Sequence, residues 1–289
     1  VVAVTPGGGP SGDDGTGGGG RGVVVLTFDN LGEAADVEGG AWPADAPLGN
    51  HVSVTEVLPR LLPALAAREL ACTFYVEAIN ATAYPDALTA IAAAGHEVGH
   101  HAWRHERWGG LDEGEEARIL RRGLDAYAAL DIAPRSFRPP GGALNPASSR
   151  LLREAGIDVC SAAGTRPGLR EGLVHLPFAW ELVDAFWMMD ILGPLRASRG
   201  QPEAAAGPGA FRTRSLAAVD RAVADGTTVT LVCHPFLLAG EDAWSAFELV
   251  LDDLVRRRAA GEVVLSRSAD AADHLRGSGI GAPQLDHAG

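Results

Sequence analysis

The chain has 289 residues, a formal net charge of −13 and 46% hydrophobic residues. That length suffices for one large α/β domain with a sizeable core. The acidic balance leaves no basic patch to neutralise phosphates and argues against nucleic acid as a partner, and no apolar run approaches the roughly 18 residues of a transmembrane span.

Residues 1–22 are mostly Gly with Pro, Ser and Asp. Such a segment buries too little apolar surface to offset its ordering entropy and reads as a disordered tail. Val23 to Phe28 is a β-branched apolar run, as expected of a buried parallel strand, and it ends on Asp29-Asn30. A Gly/Pro-rich loop carries the chain through His51. Val57 to Leu70 reads as a helix that Pro63 kinks. Cys72 to Val76 is a second strand, and Pro85 to Ala94 a helix that Gly95 stops. His96 to His101 follows as the third strand. Asp112 and Glu115 form a capping box before a helix to about Leu130, with Ile119, Leu120, Leu124, Tyr127 and Ala128 on one stripe.

Ser136 to Arg138 is a short strand entering Pro139-Pro140-Gly141-Gly142. Asn145-Pro146 opens another helix. Strands are expected at Ile157 to Ser161 and Val174 to Phe178. Gly193 to Gly209 lacks periodicity and reads as a mobile loop, a candidate lid. Phe211 to Asp225 is helical, Thr227 to Cys233 a strand, Trp244 to Arg258 a helix, Val263 to Leu265 a strand and Ala269 to Leu275 a last helix. Residues 23–278 thus form one catalytic-size domain, and 279–289 a flexible C-terminal tail. The alternation predicts a parallel sheet, open or closed as a barrel. Asp29, His101, Arg138 and His234 all fall at or just past the C-terminal ends of strands, the rim that carries active sites in parallel barrels. Cys72, Cys160 and Cys233 form no C-x-x-C and imply neither disulfides nor a zinc knuckle. No basic-then-apolar leader is visible, so a cytoplasmic protein is expected.

The densest chemistry lies in Gly95-His96-Glu97-Val98-Gly99-His100-His101-Ala102-Trp103-Arg104-His105-Glu106. His96 to His100 matches H-E-x-x-H, the zinc-protease helix. Gly95 and Gly99 make that helix poor, and the extended protease pattern fails at Trp103 and Glu106. His101-x-x-x-His105 is the competing metal pair.

This pair falls within a wider resemblance. Thr27-Phe28-Asp29-Asn30, the Gly95 to His105 segment, Phe137-Arg138-Pro139-Pro140-Gly141-Gly142, the Trp180 to Trp187 segment and Leu231-Val232-Cys233-His234-Pro235 resemble, in order, the five motifs of the polysaccharide deacetylase family. They span roughly residues 22 to 275. The resemblance implies a distorted parallel (β/α) barrel of about seven strands and metal-dependent hydrolysis of an amide, usually the N-acetyl group of an amino sugar. It implies a divalent metal, zinc by expectation, on His101, His105 and Asn30. Asp29 would be the general base, oriented by Arg138. Gly141 N–H would bind the oxyanion. His234 would be the acid, paired with Asp184 or, in competition, Asp190. Trp187 would contact substrate.

Two departures stand out. The family's metal-binding Asp is Asn30, a neutral and weaker ligand that some relatives acting on muramic acid peptidoglycan share, and the third motif's aromatic is Gly141. The segments Gly95 to Trp108 and Leu176 to Trp187 are also similar to allantoinase-like cyclic-amide hydrolases and to deformylases of aminoarabinose lipids, both intracellular. The expected substrate is therefore a small or lipid-linked amino sugar carrying an acetyl or formyl group. A cyclic amide is the alternative, a non-enzymatic binding barrel or a zinc protease the more distant ones, and homo-oligomerisation is left open.

Overall fold

The computed structural model describes residues 21–43 and 45–286. The expected disorder of the N-terminal segment falls on residues outside that range as far as position 20, whereas Gly22 already belongs to the first strand. Among the described residues eleven strands occur in chain order: β1 Gly22–Asp29, β2 Thr73–Val76, β3 Glu97–His100, β4 Ser136–Phe137, β5 Val159–Cys160, β6 Gly164–Arg166, β7 Gly168–Arg170, β8 Leu173–His175, β9 Thr228–Cys233, β10 Val263–Ser266 and β11 Gln284–Leu285.

β1 is the spine. Its residues are buried throughout, and alternation sends Val24, Leu26 and Phe28 into the main core and Val23 and Val25 against the helix Ser268–Gly277. β9 runs parallel along one edge of β1, and the other edge is divided between β10 and β2. From β2 the parallel sheet continues through β3, β4, β5 and β8, and β7 closes that end antiparallel. Eight strands are thus parallel, against the expected seven or so. Bridges between Ala163 and Phe178 and between Val183 and Val232 curl the far side back towards β9. The result is a curled, incompletely closed barrel with helices outside.

Local signals account for much of this. Asp112 accepts from Glu115 N–H and Glu115 reaches back to Asp112 N–H, completing the capping box of the helix Glu113–Ala128. Gly95 stops the helix Pro85–Ala93 in a left-handed conformation, φ 83°. Gly123 in the capped helix is needed for contact: a Cβ there would lie 2.5 Å from the His100 ring.

Several expectations are corrected. Gly193 to Gly209 is not a loose loop. Gly193–Ser198 is helical and the next helix begins at Pro208. The buried Arg196 guanidinium donates to the carbonyls of Phe186, Met189 and Glu203, fastening the segment. The helix expected from Asn145 starts at Ser148, because Asn145 Nδ2 donates to the Trp108 and Leu111 carbonyls instead. The C-terminal residues are structured as far as Asp286. β11 pairs antiparallel with β6, and Leu169 N–H donates to the Gly281 carbonyl. No described helix is long and apolar enough to cross a membrane.

Candidate active site

The parallel strands deliver polar side chains to one end of the sheet, where a cavity of about 480 Å³ opens. Asp29, Asn30, His101, His105, Arg138, Gly141 and His234 line it, with His51 and Asp36 towards one side.

Asp29 closes β1 and is buried beside Arg138, whose Nη1 donates to Asp29 Oδ1 at 2.6 Å and to Thr27 Oγ1 at 2.8 Å. Ser161 Oγ accepts from the remaining face of the guanidinium. Tyr75 and Phe178 sandwich it, with ring centroids 4.2 and 5.1 Å from Cζ. A buried arginine is stable only when its donors are met in this way. Burial raises the Asp29 carboxyl above its ordinary value, with Arg138 and His234 pulling against that rise.

His234 follows β9. The Val183–Val232 bridge sets Asp184 beside it. Asp184 Oδ1 lies 2.6 Å from His234 Nδ1, and Oδ2 accepts from His234 N–H at 2.7 Å. That fixes the tautomer and turns Nε2 towards the cavity. Burial opposes the imidazolium, but the Asp184 carboxylate outweighs it and holds His234 above its ordinary pKa. Asp190 is exposed at a 3-10 turn, so Asp184 is the partner.

His101 leaves β3 with its Nδ1 donating to the Arg138 carbonyl at 2.7 Å, which frees Nε2 as a ligand atom. The loop beyond it is tightly wound. Ala102 and His105 take φ of 61° and 74°, and Glu106 Oε2 accepts from the N–H groups of Trp103 and Arg104. That turn folds His105 back until its ring centroid is 5.0 Å from that of His101.

Glu77, which the sequence reading did not single out, joins them. Val76 pairs with His100, so Glu77 emerges next to His101. One ligand atom each from Glu77, His101 and His105 lie within 4.8 Å of one another. Glu77 Oε1 and Asn30 Oδ1 are both buried without a hydrogen-bond partner. Two imidazoles, a carboxylate and orphaned oxygens are a donor set that fits a divalent cation. The signal that would have found Glu77 is its place just past a buried strand, the same position that singled out Asp29 and His101.

The protease alternative fails here. His96, Glu97 and His100 belong to strand β3 and its entry, not a helix. His96 Nδ1 accepts from Cys72 N–H, and Glu97 is taken up by Thr73, Ser136 and Ala269 N–H. His100 is wedged against Tyr127 and Phe137.

Gly141 lines the cavity. Gly142 beside it is obligatory, since φ is 79° and a Cβ would sit 2.9 Å from the Ala163 methyl. Trp187 is a correction: it is buried away from the cavity, its indole N–H donating to the Glu181 carbonyl and its ring lying under Arg214. Trp180 takes the wall position, packed against Phe178. His51, on the long loop after β1, does reach the cavity, with Nε2 3.4 Å from Asp36.

A family model described as polysaccharide deacetylase matches residues 16–160. Chitin deacetylase 1 of Saccharomyces cerevisiae is 33% identical over 88 residues, 30% of this chain and 29% of that protein. The peptidoglycan-N-acetylglucosamine deacetylase of Bacillus cereus is 28% identical over 88 residues, 30% of this chain and 32% of that protein. The chain thus matches less than a third of either relative's length. A solved structure from Mycobacterium smegmatis, assigned to the polysaccharide deacetylases, superposes with a TM-score of 0.79 at 26% identity, covering 99% of this chain and 100% of that one. PuuE allantoinase shares the fold, with a TM-score of 0.71 at 18% identity over 91% and 93% of the two chains. The parallel sheet, the five motifs in order and the family match converge: the chain belongs to the polysaccharide deacetylase family.

Proposed function

We propose that the chain is a metal-dependent amide hydrolase that removes an N-acetyl or N-formyl group from an amino sugar or related metabolite. The observation that carries this is the pair of charge-buttressed groups, Asp29 on Arg138 and His234 on Asp184, opening on one cavity beside His101 and His105. A divalent cation on that histidine pair, zinc by expectation, would supply Lewis acidity towards the carbonyl oxygen and make a bound water more acidic.

The chain's own residues would do the rest. Asp29, ionised against Arg138, accepts the proton of the attacking water. Gly141 N–H donates to the oxygen that becomes negative as the carbonyl turns tetrahedral. His234, protonated and facing the cavity through Nε2, delivers a proton to the departing nitrogen, and Asp184 stabilises the imidazolium until it does. Water attack and C–N cleavage together yield acetate or formate and a free amine.

The cavity of about 480 Å³ lies in the range that encloses a small molecule, roughly 300–1,000 Å³. Trp180, Met189, Leu192 and Phe236 give it apolar walls, suited to a sugar face or a lipid-linked headgroup. A cytoplasmic location belongs to the same proposal, and the three free, buried cysteines are compatible with it.

The test is release of acetate or formate by the zinc-loaded full chain from N-acetyl and N-formyl amino sugars, with a cyclic ureide in parallel. Turnover of the linear amides that disappears in D29N supports the proposal. Turnover of the ureide alone would replace it with the cyclic-amide reading, and no turnover of any of them by the loaded protein would leave a binding barrel.

A further inference from the structure

The resemblance implies a cation on His101, His105 and Asn30, and Asn30 offers only a neutral amide oxygen. Glu77 has the opposite problem. It is fully buried, its Oε1 has no hydrogen-bond partner, and the charges acting on it, Asp29 and Glu106, are both negative. A carboxylate buried this way is costly unless a proton or a cation neutralises it. It lies behind the histidines that line the cavity. Its Oε2 lies 3.4 Å from Asn80 Nδ2, backbone N–H groups of Glu77 and Leu31 also act on the carboxylate, and the same Asn80 Nδ2 donates to the Leu31 carbonyl just past Asn30. The exits of β1 and β2 are thereby tied together, with Glu77 Oε1 left without a partner and one carboxylate oxygen within 4.8 Å of a ring nitrogen of each histidine.

We propose that Glu77 is the anionic metal ligand of this chain: the cation is held by Glu77, His101 and His105, and Asn30 contributes at most a neutral oxygen. The negative charge lost from the end of β1 is restored from the end of β2. Two histidines and a glutamate form a recognised set for zinc with an open fourth position. This rests on the metal-dependent reading for the histidine pair, but its test reads metal binding and not turnover.

Zinc affinity is measured on the full chain by chelator competition, alongside thermal melting with and without zinc. Wild type should bind one zinc per chain and melt higher with it. E77Q should lose more than about 100-fold in zinc affinity, beyond the 10–100-fold typical of groups that merely support a ligand. Its metal-free form should melt no lower than wild type, because the buried charge is gone, while the zinc-induced rise disappears. N30A should lose less than E77Q. E77Q with wild-type affinity, a greater loss in N30A, or a lowered metal-free melting point with the zinc rise intact would each overturn the assignment, as would a wild type that binds no zinc. If E77Q does not fold, a crystal structure of the zinc-bound wild type decides. A Glu77 oxygen at about 2.0–2.2 Å from the metal is expected, and one beyond bonding distance refutes it. Zinc held by Glu77 without amide hydrolysis would sink the proposed activity alone; hydrolysis and zinc binding that survive E77Q would sink this ligand alone.

Discussion

His96 and His100 on one side, His101 and His105 on the other, come from the same short stretch, and burial depresses the basicity of all four. His96 is lowered to about 4, His100 to about 3 and His105 to about 4, and His101 lies well below its ordinary value. A lowered pKa therefore does not distinguish structure from chemistry here. What differs is what each ring faces. His96 caps a backbone N–H and His100 fills a slot between Tyr127, Phe137 and Gly123. His101 and His105, beyond the strand, turn to the cavity. The strand ends at His100, and there packing gives way to chemistry.

Removing histidines from each side has the largest expected effect. H101A and H105A should each abolish amide hydrolysis and zinc binding, while H96A retains both; zinc binding lost in H96A and kept in H101A would restore the protease assignment. D29N and H234A should retain the metal and lose about 10²–10⁴-fold in kcat/KM, the span of general base and acid contributions. A D29N variant with near-normal turnover would remove Asp29 as the base.

D184N has a smaller effect with a defined sign. Asp184 raises the His234 pKa, and an acid must be protonated to act, so the raised value keeps His234 competent to higher pH. In D184N the alkaline limb of kcat/KM should move to lower pH. An unchanged limb would mean that another group is the acid. The last effects are on stability. G123A forces a methyl to 2.5 Å from the His100 ring and should cost about 1–3 kcal/mol by overpacking, read from denaturant melts with zinc affinity unchanged. H96A strands the Cys72 N–H and should cost about 1–3 kcal/mol at the lower end of that range.

Much of this was legible in the amino-acid sequence because it depends on local chemistry. β-Branched runs mark β1 and β9, the Asp112–Glu115 pair marks a helix start and Gly95 a helix stop. Asp29, His101, Arg138 and His234 sit at strand ends, and parallel strands point those ends the same way. Trp187 and Trp180 illustrate the limit. Both belong to one aromatic segment, and only packing against Arg214 or Phe178 decides which reaches the cavity. Gly193 to Gly209 shows no periodicity, yet Arg196 secures it through carbonyls supplied by other turns.

Glu77 marks the boundary between the two kinds of information. By itself the chain determines that a glutamate follows an apolar strand, and that Asn30 stands where the family resemblance implies an aspartate. Pairing of Val76 with His100, and the left-handed turn at Ala102 and His105, decide that this glutamate meets two imidazoles. The reason is physical: strand register and loop closure are long-range, and a metal site requires convergence of atoms that no spacing along the chain encodes.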